Sequence, residues 1–489
     1  MTRFIAYRRE WSANPVREML AGAVATFALI PEVIAFSFVA GVDPQVGLFA
    51  SFVIGIVIAF TGGRPAMISA AAGSVALVVA PLVAAHGLSY LLAAGLLAGL
   101  FQILFGVLRL GVLMRFVSKS VRTGFVNALA ILIFAAQVPH IVHGGWLNYA
   151  MLAAGLAIIY LVPRLTTVVP SPLVCILVLT VGATVLKLPV MTVADLGRLP
   201  DSLPVFAWPS VPLTLETLSI IAGPALAIAM VGLLESMMTA SVVDDLTDTP
   251  SPKNMECTGL GIANVAASLF GGIAGCGMIG QTVSNVKYGG SSRLSTLFAG
   301  VLLLVLMVVL KPWVSQVPVA ALVAIMIMVS IDTFDWSSLR SLIVHPKMSS
   351  AVMVATVIVT VFTANLALGV AVGVLLSGVF FAFKVSALLR VEADTDEARG
   401  RLTYRVSGQI FFASADLFID AFDYQDAVGK HAVIDLTHAH FWDITAVAAL
   451  DRVLQRFKAH GVPVDVLGLN KASSTLIGSL DSSGRLREV

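Results

Sequence analysis

Two acidic residues stand inside long apolar text: Glu32 in FALIPEVIAFS and Glu235 in AMVGLLESMMTAS. A charged side chain at the centre of a membrane helix costs roughly 2.5–3.5 kcal/mol on insertion scales, so such an acid marks function by default. Low dielectric favours the neutral carboxyl, which suits a group that loads and releases a proton as access alternates. The structural alternative is a carboxyl tied to backbone freed nearby, at Pro31 for example. The other acids of residues 20–390 fall in loops or at segment ends: Asp43, Asp195, Asp201, Asp244, Asp245, Asp248, Asp332 and Asp335. Glu216 and Glu256 open apolar segments, where acids suit a helix N-terminus.

Two further segments are rich in small residues, AMISAAAGSVALVVAP (66–81) and GCGMIGQTVSNVKYGG (275–290). Each reads as Met-Ile, a small-residue stretch and a helix-like run, that is, an extended piece leading into a half-helix. Small residues also simply permit close helix packing, but a paired occurrence speaks for the half-helices. A half-helix that begins in mid-membrane aims free N–H groups and its positive dipole end at the gap. Two of them converging make an anion site that needs no buried Lys or Arg. The candidate binding residues are Ala72, Gly73 and Ser74 in the first segment and Gln281, Thr282 and Ser284 in the second. Gly73 lets backbone approach a ligand, and Gln281 can donate two hydrogen bonds.

Other chemistry is thin. Cys175, Cys257 and Cys276 have no metal spacing and cannot form a disulfide scaffold. His86, His140, His143 and His345 fall at segment ends or in loops, where solvation is the plain reading. No nucleophile–base pair stands out, so neither an enzyme nor a cofactor or metal is expected.

The elements that must carry these residues follow from composition. The 489 residues are 58% hydrophobic and only 12% charged, with a mean hydropathy of +0.96. A soluble domain carries roughly 25% charged residues, so a purely soluble enzyme is excluded. Residues 20–390 hold 28 charged residues, whereas 391–489 hold 24 in a quarter of the length. This places a boundary near Leu389–Gly400 and gives three parts: a polar N-terminal segment 1–18, a transmembrane domain 19–390 and a soluble domain 400–489. The first part has no apolar run and does not read as a cleaved signal peptide.

A spanning helix needs about 20 apolar residues. Fourteen candidate spans follow: 19–40, 44–61, 66–85, 90–110, 122–140, 147–163, 171–187, 217–241, 256–271, 278–292, 294–311, 316–331, 349–365 and 367–389. With the basic N-terminus (Arg3, Arg8, Arg9, Arg17) in the cytoplasm, 13 of the 16 Lys/Arg of residues 20–390 fall on the cytoplasmic side, as the positive-inside rule asks. An even count puts the C-terminus inside as well. The polar loop 188–215 divides the spans seven and seven. Because seven is odd, the second half is inverted relative to the first, a transporter device.

Residues 401–489 alternate strand and helix text. RLTYRVSGQIFFA reads as a strand pair or bent strand, SADLFIDAFDYQDAV as a helix, HAVIDLT as a buried strand, ITAVAALDRVLQRFKAHG as an amphipathic helix, VPVDVLGL as a strand and KASSTLIGSL as a last helix. This is a small α/β domain with parallel strands expected.

These residues resemble the bacterial sulphate permease family, the prokaryotic relatives of solute carrier family 26. The resemblance covers nearly the whole chain and is most specific in ALIPEVIAFSFVAGVDPQVGLFAS and GCGMIGQTVSNVKYGGSSRLSTLFAG. HAVIDLTHAHFWDITAVAAL resembles the domain shared by sulphate transporters and anti-sigma-factor antagonists, STAS. The family implies an all-α polytopic fold with a seven-plus-seven inverted repeat and short strands in spans 3 and 10. It implies a core domain (spans 1–4 and 8–11) that moves against a gate domain (spans 5–7 and 12–14) like an elevator, and a homodimer in the bacterial inner membrane. Glu32 and Glu235 fall at its span-1 and span-8 acid positions. Animal members carry a cation where this chain has Gln281, so the pocket here is less positive. Thr445 falls near the position of the phosphorylatable Ser of the antagonists. The expected function is proton-coupled symport of a small anion: sulphate, bicarbonate or a dicarboxylate such as fumarate. The alternatives are a nucleobase–proton symporter of the same fold, or an uncoupled exchanger or channel. The expected partners are the anion, the proton, the lipid bilayer and a second copy, with no nucleic acid.

Overall fold

The structure is a computed structural model that describes residues 11, 14–111, 116–142, 145–165, 170–200, 202–344, 346–397 and 400–480. Arg3, Arg8, Arg9, Arg115, His143, His345 and Asp201 lie outside the described residues. The chain divides into two compact units, Met1–Val374 and Leu375–Val489.

The first unit opens with α1 (Pro15–Val39) and α2 (Pro44–Thr61). Both start on a proline, whose fixed φ suits the first helical position and whose missing N–H costs nothing there. Asn14 caps α1 by accepting from the Arg17 N–H. There follow β1 (Ser69–Ala71), α3 (Gly73–His86), α4 (Leu88–Val107), α5 (Lys119–Val142), α6 (Gly145–Leu165) and α7 (Ser171–Val185). After the single turn α8 (Val193–Leu196) come α9 (Leu215–Thr247), α10 (Lys253–Leu269), β2 (Gly275–Gly277), α11 (Ile279–Lys287) and α12 (Arg293–Val309). The series closes with α13 (Lys311–Val314), α14 (Val319–Thr333), α15 (Ser337–Val344), α16 (Lys347–Thr363) and α17 (Leu366–Ser386), which crosses into the second unit. Among the described residues, eight helices are long and apolar enough to cross a membrane, and α3, α7, α12 and α16 are shorter apolar helices.

Packing partners obey an exchange rule. If the apolar segments are numbered along the chain, replacing segment n by n + 7 converts several of the largest contacts into one another. Thus α1 packs on α12 as α9 packs on α4, and α2 on α12 as α10 on α4. Likewise α1 meets α11 as α9 meets α3, and α5 meets α16 as α14 meets α6. Two of these crossings are built on glycine pairs. A Cβ on Gly99 of α4 would stand 2.7 Å from the Gly261 carbonyl oxygen of α10. A Cβ on Gly55 of α2 would stand 3.0 Å from the Gly300 Cα of α12. Where lipid replaces water there is little hydrophobic drive between helices, so close backbone approach supplies the attraction.

The second unit holds a four-stranded sheet in the order β3–β4–β5–β6. β3 (Arg390–Asp396) runs antiparallel to β4 (Arg401–Ile410), while β5 (His431–Phe441) and β6 (Val464–Leu467) continue parallel. Helices α18 (Ala415–Asp420), α19 (Ile444–Ala459) and α20 (Lys471–Leu480) complete it. Tyr404, Phe418, Leu450 and Phe457 are all 2% exposed or less in its core. The structure sharpens the strand reading here and corrects one helix. The segment 401–410 is one strand with a register shift between Arg405 and Ser407, the bent strand of the two readings, and its antiparallel partner is the charged text RVEADTD, an exposed edge. An edge strand pairs on one side only and tolerates charge, which also deters stray pairing. The helix expected over 414–428 stops at Asp420 and gives way to turns.

Candidate anion site

The two small-residue segments meet. β1 and β2 pair antiparallel, with Ser69 opposite Gly277, Ala70 opposite Cys276 and Ala71 opposite Gly275. Each strand turns directly into a helix, so α3 and α11 leave the ribbon from opposite ends, about 10 Å apart by strand rise. Their N-cap residues, Ala72 and Met278, offer no side-chain oxygen to the helix. The first in-helix bonds run from the Ala76 N–H to Ala72 and from the Thr282 N–H to Met278. The N–H groups of Gly73, Ser74 and Val75, and of Ile279, Gly280 and Gln281, therefore precede both ladders. Six such donors at two uncapped helix ends make this region electropositive.

A strand inside a membrane protein needs every outward backbone group satisfied by protein. Here polar side chains do this. The Gly275 N–H donates to Asn264 Oδ1 at 2.8 Å, and Asn264 Nδ2 donates back to the Gly275 carbonyl at 3.1 Å. Gln102 accepts from the same Asn264 amide at 2.8 Å. The Gly277 N–H donates to Ser236 Oγ at 2.8 Å, and Thr239 donates to the Gly277 carbonyl at 3.0 Å. The Ala71 N–H donates to Ser51 Oγ at 3.1 Å.

Both intramembrane acids border this ribbon. Glu235, in mid-α9, accepts through Oε2 from Ser74 Oγ and from Cys276 Sγ, the latter at 3.0 Å. It thus touches both halves at once. Glu32, in α1, has Gln281 as a side-chain neighbour. One turn on, Phe36 lies over Gly73, where a Cβ would stand 2.7 Å from its ring. Glu32 and Glu235 are half-buried rather than sealed. Among the described residues, the hydrogen-bond partners of the Glu235 carboxyl are side chains rather than its own helix backbone.

The six binding candidates separate. Ala72, Gly73 and Ser74 sit at the head of α3, and Gln281 is the third residue of α11. Thr282 is engaged elsewhere: its hydroxyl accepts from the Ile68 N–H at 2.9 Å. Ser284 lies a turn beyond the helix start. The cause is a register difference. Met67-Ile68 precede β1, but Met278-Ile279 follow β2, so the repeated Met-Ile is not an equivalent position. The residues at the head of α11 are Ile279 and Gly280. Sequence reading also missed Cys276, Asn264, Ser236 and Thr239. The lone amide of Asn264 in small apolar text was a usable signal, whereas Cys276 carried none. All three cysteines are free and buried. Among the described residues no group of three or more His, Cys, Asp and Glu could hold a metal ion.

The profile of the sulfate permease family matches residues 16–147 and 145–356, and that of the STAS domain matches 392–483. The chain belongs to the sulfate permease family. Among relatives of this permease, YbaR of Bacillus subtilis (strain 168), which carries the name of a sulfate transporter, is 51% identical over 98% of this chain and 99% of its own. The bicarbonate transporter BicA of Picosynechococcus sp. is 27% identical over 90% of this chain and 86% of its own. Among solved structures, the murine solute carrier 26 family member A9 anion transporter matches with a TM-score of 0.84 at 18% identity, covering 96% of this chain and 89% of that one. The permease accordingly has the mostly helical polytopic membrane fold of that carrier family, followed by a STAS domain with a β-sheet.

Proposed function

We propose that this permease is a secondary active anion transporter working by elevator-type alternating access, with proton-coupled symport of a small anion. Sulphate, bicarbonate and dicarboxylates such as fumarate are the candidate cargoes, the first two because relatives carry those names. The observation that carries the reading is the ribbon itself: two uncapped helix starts converge beside Glu235, a carboxyl hydrogen-bonded to both halves. The helix starts attract the anion, and Glu235 and Glu32 are the proton carriers. Ala72, Gly73, Ser74 and Gln281 line the anion position. On this reading the chain crosses the inner membrane fourteen times with both termini cytoplasmic. Residues 1–18, 19–390 and 400–489 form its three parts, and it works as a homodimer.

The test uses purified protein in liposomes, with labelled sulphate, bicarbonate and fumarate and with or without an inward proton gradient. Gradient-driven uptake of one of them, lost in Glu235→Gln, is the expected result. Uptake of equal size with and without the gradient would instead make the protein an uncoupled exchanger or channel. Competition by uracil would make it a nucleobase symporter.

A further inference from the structure

We propose that Ser74 is the residue that converts the protonation state of Glu235 into affinity for the anion, through reversal of one hydrogen bond. The inference rests on the proton-coupled reading above and names the atom that carries the coupling.

The argument begins from what a hydroxyl can do. It has one O–H to donate and lone pairs to accept with. Ser74 is the second residue of α3, at the end where the unladdered N–H groups of Gly73, Ser74 and Val75 gather. Ser74 is 1% exposed, so no bulk water competes for that one proton. With Glu235 ionised, the carboxylate is acceptor-only, and Ser74 gives its O–H to Oε2. The Ser74 oxygen then shows only lone pairs to the helix start, where they repel an anion. With a proton bound to Oε2, the roles exchange. The new O–H bond of Glu235 donates to Ser74 Oγ, and the Ser74 O–H turns to the anion as a further donor beside the backbone N–H groups. No bond of Ser74 breaks; one proton enters from solvent onto Glu235 and leaves the same way.

Cys276 fixes the direction of the exchange. Its thiol donates to the same Oε2 at 3.0 Å and lies 3.9 Å from Ser74 Oγ. Sulfur is a weak acceptor, so a proton on Oε2 finds its better partner in Ser74. Because Cys276 belongs to β2 and Ser74 to α3, the same carboxyl oxygen senses both halves of the ribbon. The other titratable groups on elements packed against α9 stand at element ends. They are His86 of α3, Tyr90 of α4, Lys253, Glu256 and Cys257 of α10, and Lys287 of α11, with Glu216, Asp244 and Asp245 of α9 itself. Among the described residues only Ser74 and Cys276 hydrogen-bond the Glu235 carboxyl.

The experiment measures KM for tracer self-exchange of sulphate, bicarbonate and fumarate in proteoliposomes at equal pH on both sides, from about pH 5.5 to about pH 8. In the wild type, KM rises with pH. In Ser74→Ala, KM at the acid end rises roughly tenfold or more, the worth of a hydrogen bond to a charged group, and the profile flattens. Ser74→Thr keeps the hydroxyl and keeps the slope. Glu235→Gln, whose amide donates to Ser74 Oγ permanently, has a low KM at every pH. In that background Ser74→Ala costs the same factor throughout. A merely structural role for Ser74 would shift KM evenly and leave the pH slope intact. A wild-type slope in Ser74→Ala, with a flat profile in Glu235→Gln, overturns the Ser74 proposal and leaves coupling at Glu235 standing. A flat wild-type profile overturns the proton-coupled reading itself.

Discussion

Gly73 and Asn264 do opposite work at the ribbon. At Gly73 any side chain would meet the Phe36 ring, the nearest atom being 2.7 Å from a built Cβ. Gly73→Ala is therefore expected to cut transport at least about tenfold, because a shift of about 1 Å at a positioned site costs that much or more. Adding Phe36→Leu should restore part of it, which separates a clash from a lost contact. Asn264 instead holds both polar groups of Gly275. Asn264→Ala leaves two buried backbone groups without partners at about 1–3 kcal/mol each. A thermal scan of the full-length protein in detergent should show a midpoint several degrees lower. An unchanged midpoint would mean that water enters this end of the ribbon. Asn264 was legible as a lone amide in apolar text. Cys276 was not, since only the pairing of β1 with β2 brings its sulfur to Glu235.

At the level of elements, the glycine crossing of α4 and α10 is predicted to be intolerant. Gly99→Ala brings a methyl against the Gly261 carbonyl, and overpacking of this kind costs about 1–3 kcal/mol. Its counterpart between α2 and α12, Gly300→Ala, meets Gly55 at 3.2 Å and should cost less in the same thermal scan. In the STAS domain, Asp443 caps α19 by accepting from the Ala446 N–H at 2.9 Å, and it also accepts from the Phe412 N–H at 2.8 Å. Asp443→Ala is expected to lower the stability of this domain by about 1–2 kcal/mol. Asp435 offers a pH test in the same domain. The Thr437 hydroxyl, and then its N–H, donate to the Asp435 carboxylate and hold it below the usual carboxylate range. A depressed carboxyl stabilises the fold above its unfolded value, and that contribution fades as pH falls through the folded one, below about pH 4. In Thr437→Val the acid-side loss of stability should be smaller, as followed by the unfolding of the domain between about pH 5 and pH 3.

For the whole molecule, the orientation drawn from charge makes a direct prediction. The three native cysteines are buried, so an impermeant thiol reagent has a low background. Ser202→Cys, in the loop between α8 and α9, should label in intact cells. Lys347→Cys, at the start of α16, should label only in inverted vesicles. The opposite pattern would reverse the topology. The exchange rule among helix contacts belongs to this scale too. The text of the two halves is too diverged to align by eye, as the displaced Met-Ile pair shows, yet several of the largest contacts correspond.

The sequence alone determined the membrane character and pointed to the polar C-terminal part, a candidate topology and two acids inside apolar text, because each is a statement about transfer free energy along a line. It also pointed to the head of α3, where Ala72, Gly73 and Ser74 stand in one run. What the tertiary structure decided is who meets whom. Strand pairing set the start of α11 and moved Thr282 from ligand candidate to a backbone partner of Ile68. Helix packing put Ser74 and Cys276 on one oxygen of Glu235. Hydrogen bonds are short and directional, so they depend on a register that hydropathy, which is blind to direction, does not encode.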